Sequence, residues 1–438
     1  MGIGSIVFIV ILIAGFGFFG FNVKKVISNI NLGRDKKIND RKGERWKVMT
    51  LVALGQKKMF QRPIPAMLHL FIYVAFLLTQ IELIEIIIDG ITGNHRVFYP
   101  SLGGLYTLVI SIIEVLSVLA LIATFAFLAR RNLLKIPRFH KDEMTGWPKL
   151  DGNIILYLEI LLVFFIFTMN GADEAVHIAE GKGSYGFALS QFYGPAFFGG
   201  MDIDSLHILE RVGWWGHLVM VLTFMNYLPY SKHFHIFLAF PNVWYSNLDA
   251  KGRLSNMEAV TNEVKMMFDP DADPYAAPAE PVGEPQTFGV KDVTDLPWTG
   301  LLQAYTCTEC GRCTSECPAN QTGKLLSPRK IMMDTRDRMV ELGDYKRKNG
   351  ADSHDGKKLV HDYISEEELW ACTSCNACVE ACPVNIDPLA IIVDLRRYLV
   401  MEESKAPAEL TGMFSNIENN GAPWQFSPSD RLNWKDEQ

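Results

Sequence analysis

The stretch CTECGRCTSECP, from Cys307 to Pro318, recurs almost unchanged as CTSCNACVEACP, from Cys372 to Pro383. We call these stretches the first and the second cysteine box, and together they hold all eight cysteines of the 438-residue chain. Each box has the spacing C-x2-C-x2-C-x3-C-P, in which three thiolates of one loop ligate one 4Fe-4S cluster and the fourth ligates the other cluster. The repeat therefore predicts two clusters whose ligands are exchanged between the boxes.

Each predicted ligand set combines the first three cysteines of one box with the last cysteine of the other. The first set is Cys307, Cys310, Cys313 and Cys382, and the second set is Cys372, Cys375, Cys378 and Cys317. Structural zinc is a less favoured interpretation, because zinc sites usually join two separated C-x2-C pairs. Disulfides are less favoured still, because the charge pattern described below places this domain in the reducing cytoplasm.

The N-terminal half is rich in apolar segments, and hydrophobic residues make up 49 % of the whole chain. A helix needs roughly 20 apolar residues to cross about 30 Å of hydrocarbon. Five windows meet this requirement, at 3–22, 64–88, 104–129, 152–170 and 207–230. The first window lacks a basic n-region and a small-residue cleavage site, so we interpret it as a retained anchor rather than a signal peptide.

The distribution of basic residues predicts the orientation of these windows in a bacterial inner membrane. Residues 24–62 carry twelve Lys or Arg, whereas the loops at 90–103 and 171–206 contribute only Arg96 and Lys182. We therefore expect the N-terminus outside, and the chain beyond the fifth window in the cytoplasm. The net charge of −7 gives no support for nucleic-acid binding, which requires a basic patch.

The predicted fold class is mainly α, with a five-helix transmembrane bundle and a mostly helical cytoplasmic dicluster ferredoxin domain. The bundle is expected at 1–245, a linker at 246–286, the two-cluster domain at 287–400 and an extended tail at 401–438. Six prolines between residues 246 and 300 favour the linker. Within the two-cluster domain, helices are expected around 326–343 and 387–403.

Four histidines lie in or beside the membrane windows, where polar side chains are costly and mark functional sites. His69 lies near the cytoplasmic end of the second window, His217 near the middle of the fifth, and His233 and His235 at the cytoplasmic end of the fifth. Two imidazoles on facing helices can ligate a b-type haem, which also satisfies their polar atoms. We therefore predict His69 with His235, or alternatively with His233, as haem ligands.

A second haem is a further prediction that depends on His217. Residues 217 and 235 are separated by five helical turns, so His217 and His235 are expected to share one helix face. A partner for His217 would be expected near Thr79, where the sequence has no histidine. For His217 taken alone, a hydrogen-bonded core histidine is therefore the favoured interpretation, and a ligand of a second haem is the alternative.

Charged residues also fall inside the predicted spans, namely Glu82, Glu85, Glu114, Glu159, Glu210 and Arg211. Arg211 and the group Glu82, Glu85 and Glu114 belong to the outer half of the bundle. An ion-paired structural cluster is the favoured interpretation, and a proton path that serves quinone chemistry is the alternative.

The arrangement of histidines on the second and fifth windows resembles the cytochrome b subunit of respiratory nitrate reductase, over about residues 60–240. This resemblance implies that His69 and His235 ligate an inner haem and that His217 supplies half of the ligands of an outer one. In that family both haems have two histidines, so the absence of a histidine near Thr79 departs from the pattern.

The cytoplasmic part is similar to the iron-sulfur subunits of heterodisulfide reductases and to the glycolate oxidase iron-sulfur family. The matching stretches are LLQAYTCTECGRC, LSPRKI, CTSCNACVEACP and NIENNGAPW. Fused versions of the two modules resemble membrane oxidoreductases that connect an electron-transfer flavoprotein, or another cytoplasmic donor, with menaquinone. Those versions continue into cysteine-rich CCG domains, so the resemblance implies a CCG-domain partner polypeptide that docks near residues 405–438.

Together these features predict an electron-transport subunit of a respiratory, quinone-linked oxidoreductase. Electrons would pass between a cytoplasmic partner, the two clusters, haem b and a membrane quinone, and no side chain would be catalytic because cofactors carry the electrons. The alternative is a membrane-anchored ferredoxin without haem that serves a separate catalytic partner. A redox sensor or assembly protein would require an output domain, and none is visible in the sequence.

Overall fold

The computed structural model describes residues 2–269 and 287–436. In these two ranges the chain is mainly helical and forms no sheet; two isolated β-bridges join Arg34 to Pro297 and Val360 to Ile364. Part of the predicted linker, at 270–286, lies outside the described residues.

The helices of the first half are α1 (Ile3–Ile30), α2 (Lys42–Met49), α3 (Pro63–Thr92), α4 (Tyr99–Leu102), α5 (Gly104–Asn132), α6 (Trp147–Ala179), α7 (Ser190–Phe198), α8 (Ile203–Tyr227) and α9 (His235–Trp244). Those of the second half are α10 (Glu258–Phe268), α11 (Trp298–Thr306), α12 (Arg312–Glu316), α13 (Pro318–Gln321), α14 (Pro328–Asn349), α15 (Leu359–Asp362), α16 (Glu366–Trp370), α17 (Ala377–Ala381), α18 (Pro388–Met401) and α19 (Ala408–Asn420). Short 3-10 segments lie at Lys57–Gln61, Pro137–Phe139, Asp142–Met144, Leu228–Tyr230, Lys232–Phe234, Val293–Asp295 and Pro428–Lys435, and a π-helix lies at Thr50–Leu54.

Four helices, α1, α3, α5 and α6, are long and apolar enough to cross a membrane. Each of them exposes large apolar side chains on the outside of the bundle, for example Ile13, Ile84, Leu108 and Phe164. Exposed apolar surface on this scale requires a nonpolar environment. The chain is therefore a membrane protein.

The fifth expected span falls on α8, which packs against α6 and α1. Asp204, Glu210 and Arg211 lie in the first half of α8 and His217 in its middle, so α8 is less apolar than the other four helices. The structure thus has four candidate spans in its described part. The count of five stays a prediction.

The helix that carries His217 does not continue to His235. It ends at Tyr227, Leu228–Tyr230 forms a 3-10 turn, and Ser231 is extended, with φ −116° and ψ 149°. Pro229 interrupts the helix because it has no N–H to donate. The expectation that His217 and His235 share one helix face is therefore wrong, since His235 begins the separate helix α9.

The core of the second domain forms around α11, α14 and α18. Both predicted helices are confirmed, as α14 and α18, and each begins with a capping side chain followed by proline, which favours a helix start. The same core includes Val26 and Ile30 of α1, and Leu228 and Phe234 beside the membrane bundle. One continuous apolar core therefore joins the bundle to the second domain.

Two segments that were expected to be irregular contain helices. Helix α10 lies inside the predicted linker, and α19 lies inside the tail that was predicted to be extended. In α19 the apolar residues Leu410, Phe414 and Ile417 recur at helical spacing, and Gly421 ends the helix with a φ of 62°. The prediction of an extended tail is therefore wrong for 408–420, because helical periodicity was overlooked there.

Candidate functional site

The first cysteine pocket lies in the second domain and encloses about 380 Å³ of empty space, including its opening. Its sulfur lining consists of Cys307, Cys310, Cys313 and Cys382. Met332, Ile386 and Pro388 supply apolar lining. The structure thus brings together three cysteines of the first box and the last cysteine of the second.

The second cysteine pocket has the reciprocal composition and encloses about 310 Å³. Its sulfur lining consists of Cys372, Cys375, Cys378 and Cys317. The exchange follows from the packing of α12 against α17, because each short helix carries the last cysteine of its box at its C-terminal end, against the other box. The two sets of cysteines that the structure brings together match the sets that the spacing predicts.

Both boxes use the same backbone to turn around their pockets. Glu309 and Ser374 have a φ of 55°, and Gly311 and Asn376 have φ values of 69° and 60°. These left-handed residues fold each C-x2-C-x2-C segment into a tight loop, which turns the side chains of three cysteines toward one centre. Local sequence therefore shapes each pocket before the two boxes meet.

The pockets fit an iron-sulfur cluster better than a single zinc ion. Among the described residues, no three of these sulfur atoms lie within 4.8 Å of one another. Tetrahedral zinc, with Zn–S bonds of about 2.3 Å, would hold its sulfurs about 3.8 Å apart. Burial raises the pKa of the Cys307 and Cys378 thiols to about 12, so their thiolates require a cationic centre beside them. The donor set and its spacing suit a metal-sulfur centre larger than one ion.

The structure brings His69, His233 and His235 together at the end of the bundle nearest the cysteine pockets. The ring centroids of His69 and His235 are 6.4 Å apart, and those of His233 and His235 are 5.3 Å apart. Two imidazoles that ligate one metal through bonds of about 2 Å place their centroids about 6 Å apart. The separation of His69 and His235 is therefore suitable for a shared metal.

Hydrogen bonds orient both of these rings. Nδ1 of His69 lies 3.0 Å from Oε1 of Gln56, and Nδ1 of His235 lies 3.1 Å from the carbonyl oxygen of Lys232. Both partners are acceptors, so Nδ1 donates in each ring and Nε2 keeps its lone pair. This is the tautomer that a metal-binding histidine requires when its second nitrogen is anchored.

His217 lies apart from this group and is buried against α6. Its Nδ1 is 3.2 Å from the carbonyl oxygen of Leu162. Thr79, where a second ligand would be expected, is bonded instead to the carbonyl oxygen of Phe76 in its own helix. The contacts of His217 are those of a hydrogen-bonded core residue, so a second haem stays a prediction without a visible second ligand.

The polar cluster of the far end of the bundle is organised by Arg96 rather than by Arg211. The Arg96 guanidinium pairs with Asp173 and donates to Asn170 at 2.8 Å and to the Tyr106 hydroxyl at 2.9 Å. Arg211 pairs with its neighbour Glu210 instead. Arg211 also lies 3.2 Å from Nδ1 of His95, whose Nε2 lies 2.9 Å from Asp173, so it joins the ion-paired cluster through Glu210 and His95. Arg96, which folds back from its loop into the helix ends, pairs with Asp173 directly.

The acidic residues of this cluster mostly hold the adjacent loops. Glu85 accepts from Phe98 N–H and from the Tyr106 hydroxyl, and Glu114 accepts from Leu189 N–H and Ser190 N–H. These bonds tie the loops to α3 and α5, which supports a structural role.

Several residues that the sequence did not indicate join the first cysteine box to the histidine group. Glu309 is buried and accepts from Lys232 at 2.5 Å and from Arg336 at 2.7 Å. Burial opposes the charge of Glu309, but these two cations outweigh burial and lower its pKa. Arg312, also buried, donates to the carbonyl oxygens of Lys58 and Met59. A signal was present, because the second box has Ser374 and Ala377 at the corresponding positions.

The family model of the 4Fe-4S dicluster domain matches residues 306–386, which include both boxes. The chain therefore carries a 4Fe-4S dicluster domain, and the prediction of iron-sulfur clusters is confirmed at this level. The individual ligand sets stay a prediction. No solved structure matches the chain significantly.

Three relatives extend the comparison. The chain is 28 % identical to "Probable iron-sulfur-binding oxidoreductase FadF" of Bacillus subtilis, over 99 % of this chain and 61 % of the relative. It is 26 % identical to "EtfAB:quinone oxidoreductase" of Syntrophomonas wolfei, over 91 % of this chain and 55 % of the relative. It is 34 % identical to "Probable membrane-anchored ferredoxin" of Chromohalobacter salexigens, over 33 % of this chain and 24 % of the relative.

The chain spans only about three fifths of the first of these relatives and little more than half of the second. All three names describe redox proteins, and one of them describes a membrane anchor. With the four apolar helices and the dicluster domain, they support an electron-transfer role at a membrane. The chain is thus a membrane protein that carries a 4Fe-4S dicluster domain and is similar to iron-sulfur oxidoreductases.

Proposed function

We propose that the chain is the membrane electron-transfer subunit of a quinone-linked oxidoreductase. It would relay electrons between a cytoplasmic redox partner and a membrane quinone through two 4Fe-4S clusters and at least one b-type haem. The observation that carries this proposal is the His69 and His235 pair, with ring centroids 6.4 Å apart, at the end of the bundle that faces the first cysteine pocket.

Cysteine thiolates of the two pockets would hold the clusters. The first would be held by Cys307, Cys310, Cys313 and Cys382, and the second by Cys372, Cys375, Cys378 and Cys317. Such clusters supply one-electron chemistry at potentials that nearby hydrogen bonds and burial adjust. Backbone N–H groups of Ser374 and Ile386 lie 3.4 Å and 3.3 Å from the sulfurs of Cys372 and Cys382, and are placed to make that adjustment.

His69 and His235 would hold a b-type haem, which supplies a further one-electron centre inside the bundle. Gln56 and the carbonyl of Lys232 would fix the two rings. His233, whose ring is perpendicular to that of His235, is the alternate to His235. His217 has no second histidine near Thr79, where its partner would be expected, and this favours one haem over two.

The partners and location follow from the same proposal. We place the protein in a bacterial inner membrane, with the N-terminus outside and the cysteine pockets in the cytoplasm. The quinone would be menaquinone, and the cytoplasmic partner a CCG-domain iron-sulfur protein or an electron-transfer flavoprotein. The name of the Syntrophomonas relative, which joins EtfAB to quinone, supports both ends of this relay.

The segment 405–438 is the proposed docking site of that partner. Helix α19 and the residues after it expose Phe414, Ile417, Trp424, Phe426 and Trp434. Exposed apolar patches of this kind mark interaction sites in folded proteins.

A redox titration of the purified protein by visible and paramagnetic spectroscopy tests the proposal. About eight iron and eight sulfide per chain are expected beyond haem iron, as two four-iron clusters require. His69→Ala should abolish the b-type absorption band and keep both cluster signals. Zinc in place of iron would end the electron-transfer interpretation.

The second candidate is a membrane-anchored ferredoxin without haem. The name of the Chromohalobacter relative, which matches 33 % of this chain, favours this candidate. In that case the wild-type protein would show no b-type band, and His69→Ala would leave every spectrum unchanged. The two candidates therefore give opposite results in the same experiment.

A further inference from the structure

The two cysteine boxes have the same spacing and different surroundings. In the first box Glu309, Gly311 and Arg312 are buried, whereas Thr373, Ser374 and Cys375 of the second box are exposed. The first loop lies against the membrane bundle, and the second loop faces solvent. The two pockets are therefore not equivalent with respect to the histidine group.

One bridge runs from the first loop to His235. The Glu309 carboxylate accepts from Lys232 Nζ at 2.5 Å, and Lys232 Nζ also lies 3.6 Å from a carboxylate oxygen of Asp151 at the start of α6. The carbonyl oxygen of Lys232 accepts from Nδ1 of His235 at 3.1 Å. Lys232 is itself buried, so it connects the first box and a histidine ring through a single residue.

A second bridge runs from the same loop to His69. The Arg312 guanidinium donates to the carbonyl oxygens of Lys58 and Met59, at 3.3 Å and 3.4 Å, and lies 3.4 Å from Sδ of Met59. These residues belong to the 3-10 segment that follows Gln56, whose side chain holds Nδ1 of His69. Both histidines are thus anchored by segments that the first loop contacts.

The part of the second box that contacts the bundle agrees with this picture. Lys58 Nζ donates to the carbonyl oxygen of Val379 at 3.3 Å and to the Asn385 side chain at 3.1 Å. These two residues flank Cys382, which lines the first pocket. The contacts therefore support the first pocket and not the exposed loop around Cys375.

We propose that electrons cross between the dicluster domain and the membrane bundle at the first cysteine pocket, with Lys232 and Arg312 as the positioning residues that hold this pocket against His69 and His235. This inference rests on the proposed function. The protein contributes orientation and electrostatics to such a transfer. Lys232 and Arg312 contribute to both, because each is positively charged and each fixes the position of the first box. One electron crosses in each event, so no bond forms or breaks and no proton is required.

The test uses the full chain with its cofactors and the variants Lys232→Met and Arg312→Met. Haem reduction is followed by stopped flow after mixing with a reduced small ferredoxin as the electron source. We expect haem and iron contents near those of the wild type and a rate of haem reduction at least tenfold lower. The cluster nearer to the haem is identified by paramagnetic spectroscopy, because oxidised haem speeds the electron-spin relaxation of that cluster. The midpoint potential of this cluster should fall in both variants, because a nearby positive charge is removed.

Two further variants separate positioning from folding. Lys232→Arg keeps the charge and should restore both the rate and the potential. If Lys232→Met fails to assemble, the double variant with Glu309→Gln removes the buried carboxylate that accepts from Lys232, while Asp151 keeps its hydrogen bonds from the Tyr227 hydroxyl and from the backbone N–H of residue 232. Arg312 is bonded to backbone carbonyls and a thioether rather than to an acid, so Arg312→Met tests the inference even if both Lys232 variants fail.

Lys251→Met is the matched control. Lys251, in the segment after α9, forms an exposed ion pair with Glu380 of the second box and lies in neither bridge to the histidines. It should change neither rate nor potential. If Lys232→Met and Arg312→Met both have full haem content, the wild-type rate of haem reduction and the wild-type cluster potential, this inference is overturned and the proposed function is not. If the wild-type protein contains no haem, the proposed function itself is overturned.

Discussion

The first and second cysteine boxes are built alike and used differently. Both fold around left-handed residues, and each contributes three cysteines to one pocket and one cysteine to the other. The first is covered by the membrane bundle, whereas Cys375 of the second is exposed. A repeated motif can thus supply two similar sets of cysteines while the neighbouring residues decide which set lies against the membrane bundle.

The residues that differ between the boxes explain this difference. Glu309 and Arg312 are charged and contact the bundle, whereas Ser374 and Ala377 at the corresponding positions are small and neutral. The predictions below test whether the boxes can be made more alike or more different.

The largest effect is expected from replacing the last cysteine of either box by serine. Cys382→Ser lies in the second box but should remove the cluster of the first pocket, with a loss of about four iron per chain. Cys317→Ser should do the reverse. Iron analysis with paramagnetic spectroscopy measures both losses. The cluster that survives Cys382→Ser should be that of the second pocket, and a soluble paramagnetic ion should speed its electron-spin relaxation because Cys375 is exposed. If the surviving cluster is instead shielded from the ion, the exchange of cysteine ligands between the boxes is contradicted.

A large difference in stability is expected from the two acidic positions. Glu309→Ser leaves Lys232 and Arg336 without their shared carboxylate and should destabilise the protein by about 3 kcal/mol. Ser374→Glu adds a charge to an exposed loop and should change stability by no more than about 0.5 kcal/mol. Thermal unfolding of the two variants measures the contrast. Equal shifts in the unfolding midpoint would show that burial of the first box does not depend on Glu309.

A moderate effect is expected from the fifth residue of each box, Gly311 in the first and Asn376 in the second. At Gly311 an added Cβ would lie 2.5 Å from Nη1 of Arg329, so Gly311→Asn should cost about 1 to 3 kcal/mol. Asn376→Gly gives the second box the residue of the first and should cost about 0.5 kcal/mol or less. Chemical denaturation compares the two variants. A tolerated Gly311→Asn would mean that Arg329 can move away from the first pocket.

The smallest effect is a dependence of stability on pH at the edge of the first pocket. Burial alone would raise the pKa of Glu143, but hydrogen bonds from Ser327 and Arg329 outweigh burial and lower the pKa below 4.5. A lowered pKa means that this contribution is present above pH 4.5 and is lost as the pH falls through the pKa of the folded state. The difference in melting temperature between the wild type and Glu143→Gln should therefore shrink on acidification, and a constant difference would contradict the assignment.

Local patterns in the sequence predicted much of the site. The cysteine spacing depends on residues within one loop, and the two predicted helices of the second domain begin at Ser327 and Asp387 with local caps. His69 and His235 were predicted because a polar ring inside a membrane needs a partner. The structure brings these cysteines and these histidines together, and their roles as ligands stay predictions.

Other features depended on contacts between distant segments. The break between His217 and His235 was missed because the 3.6-residue period was extended across Pro229 and Ser231. Arg96 was placed in an outer loop, although it folds back onto Asp173, which is distant in the sequence. The tail was predicted as extended because Leu410, Phe414 and Ile417 are only three apolar residues at helical spacing, which is a weak signal for a helix.

The sequence by itself predicted the candidate ligands of this protein, which are eight cysteines in two equal boxes and the histidines beside the membrane. It also predicted five apolar windows, four of which the described part of the structure shows as candidate spans. Only the tertiary structure decided that the first pocket, and not the second, lies against the histidine group. The physical reason is that buried ion pairs such as Lys232 with Glu309 form between segments that are far apart in the chain. The residue spacing within either segment does not indicate which other segment it contacts.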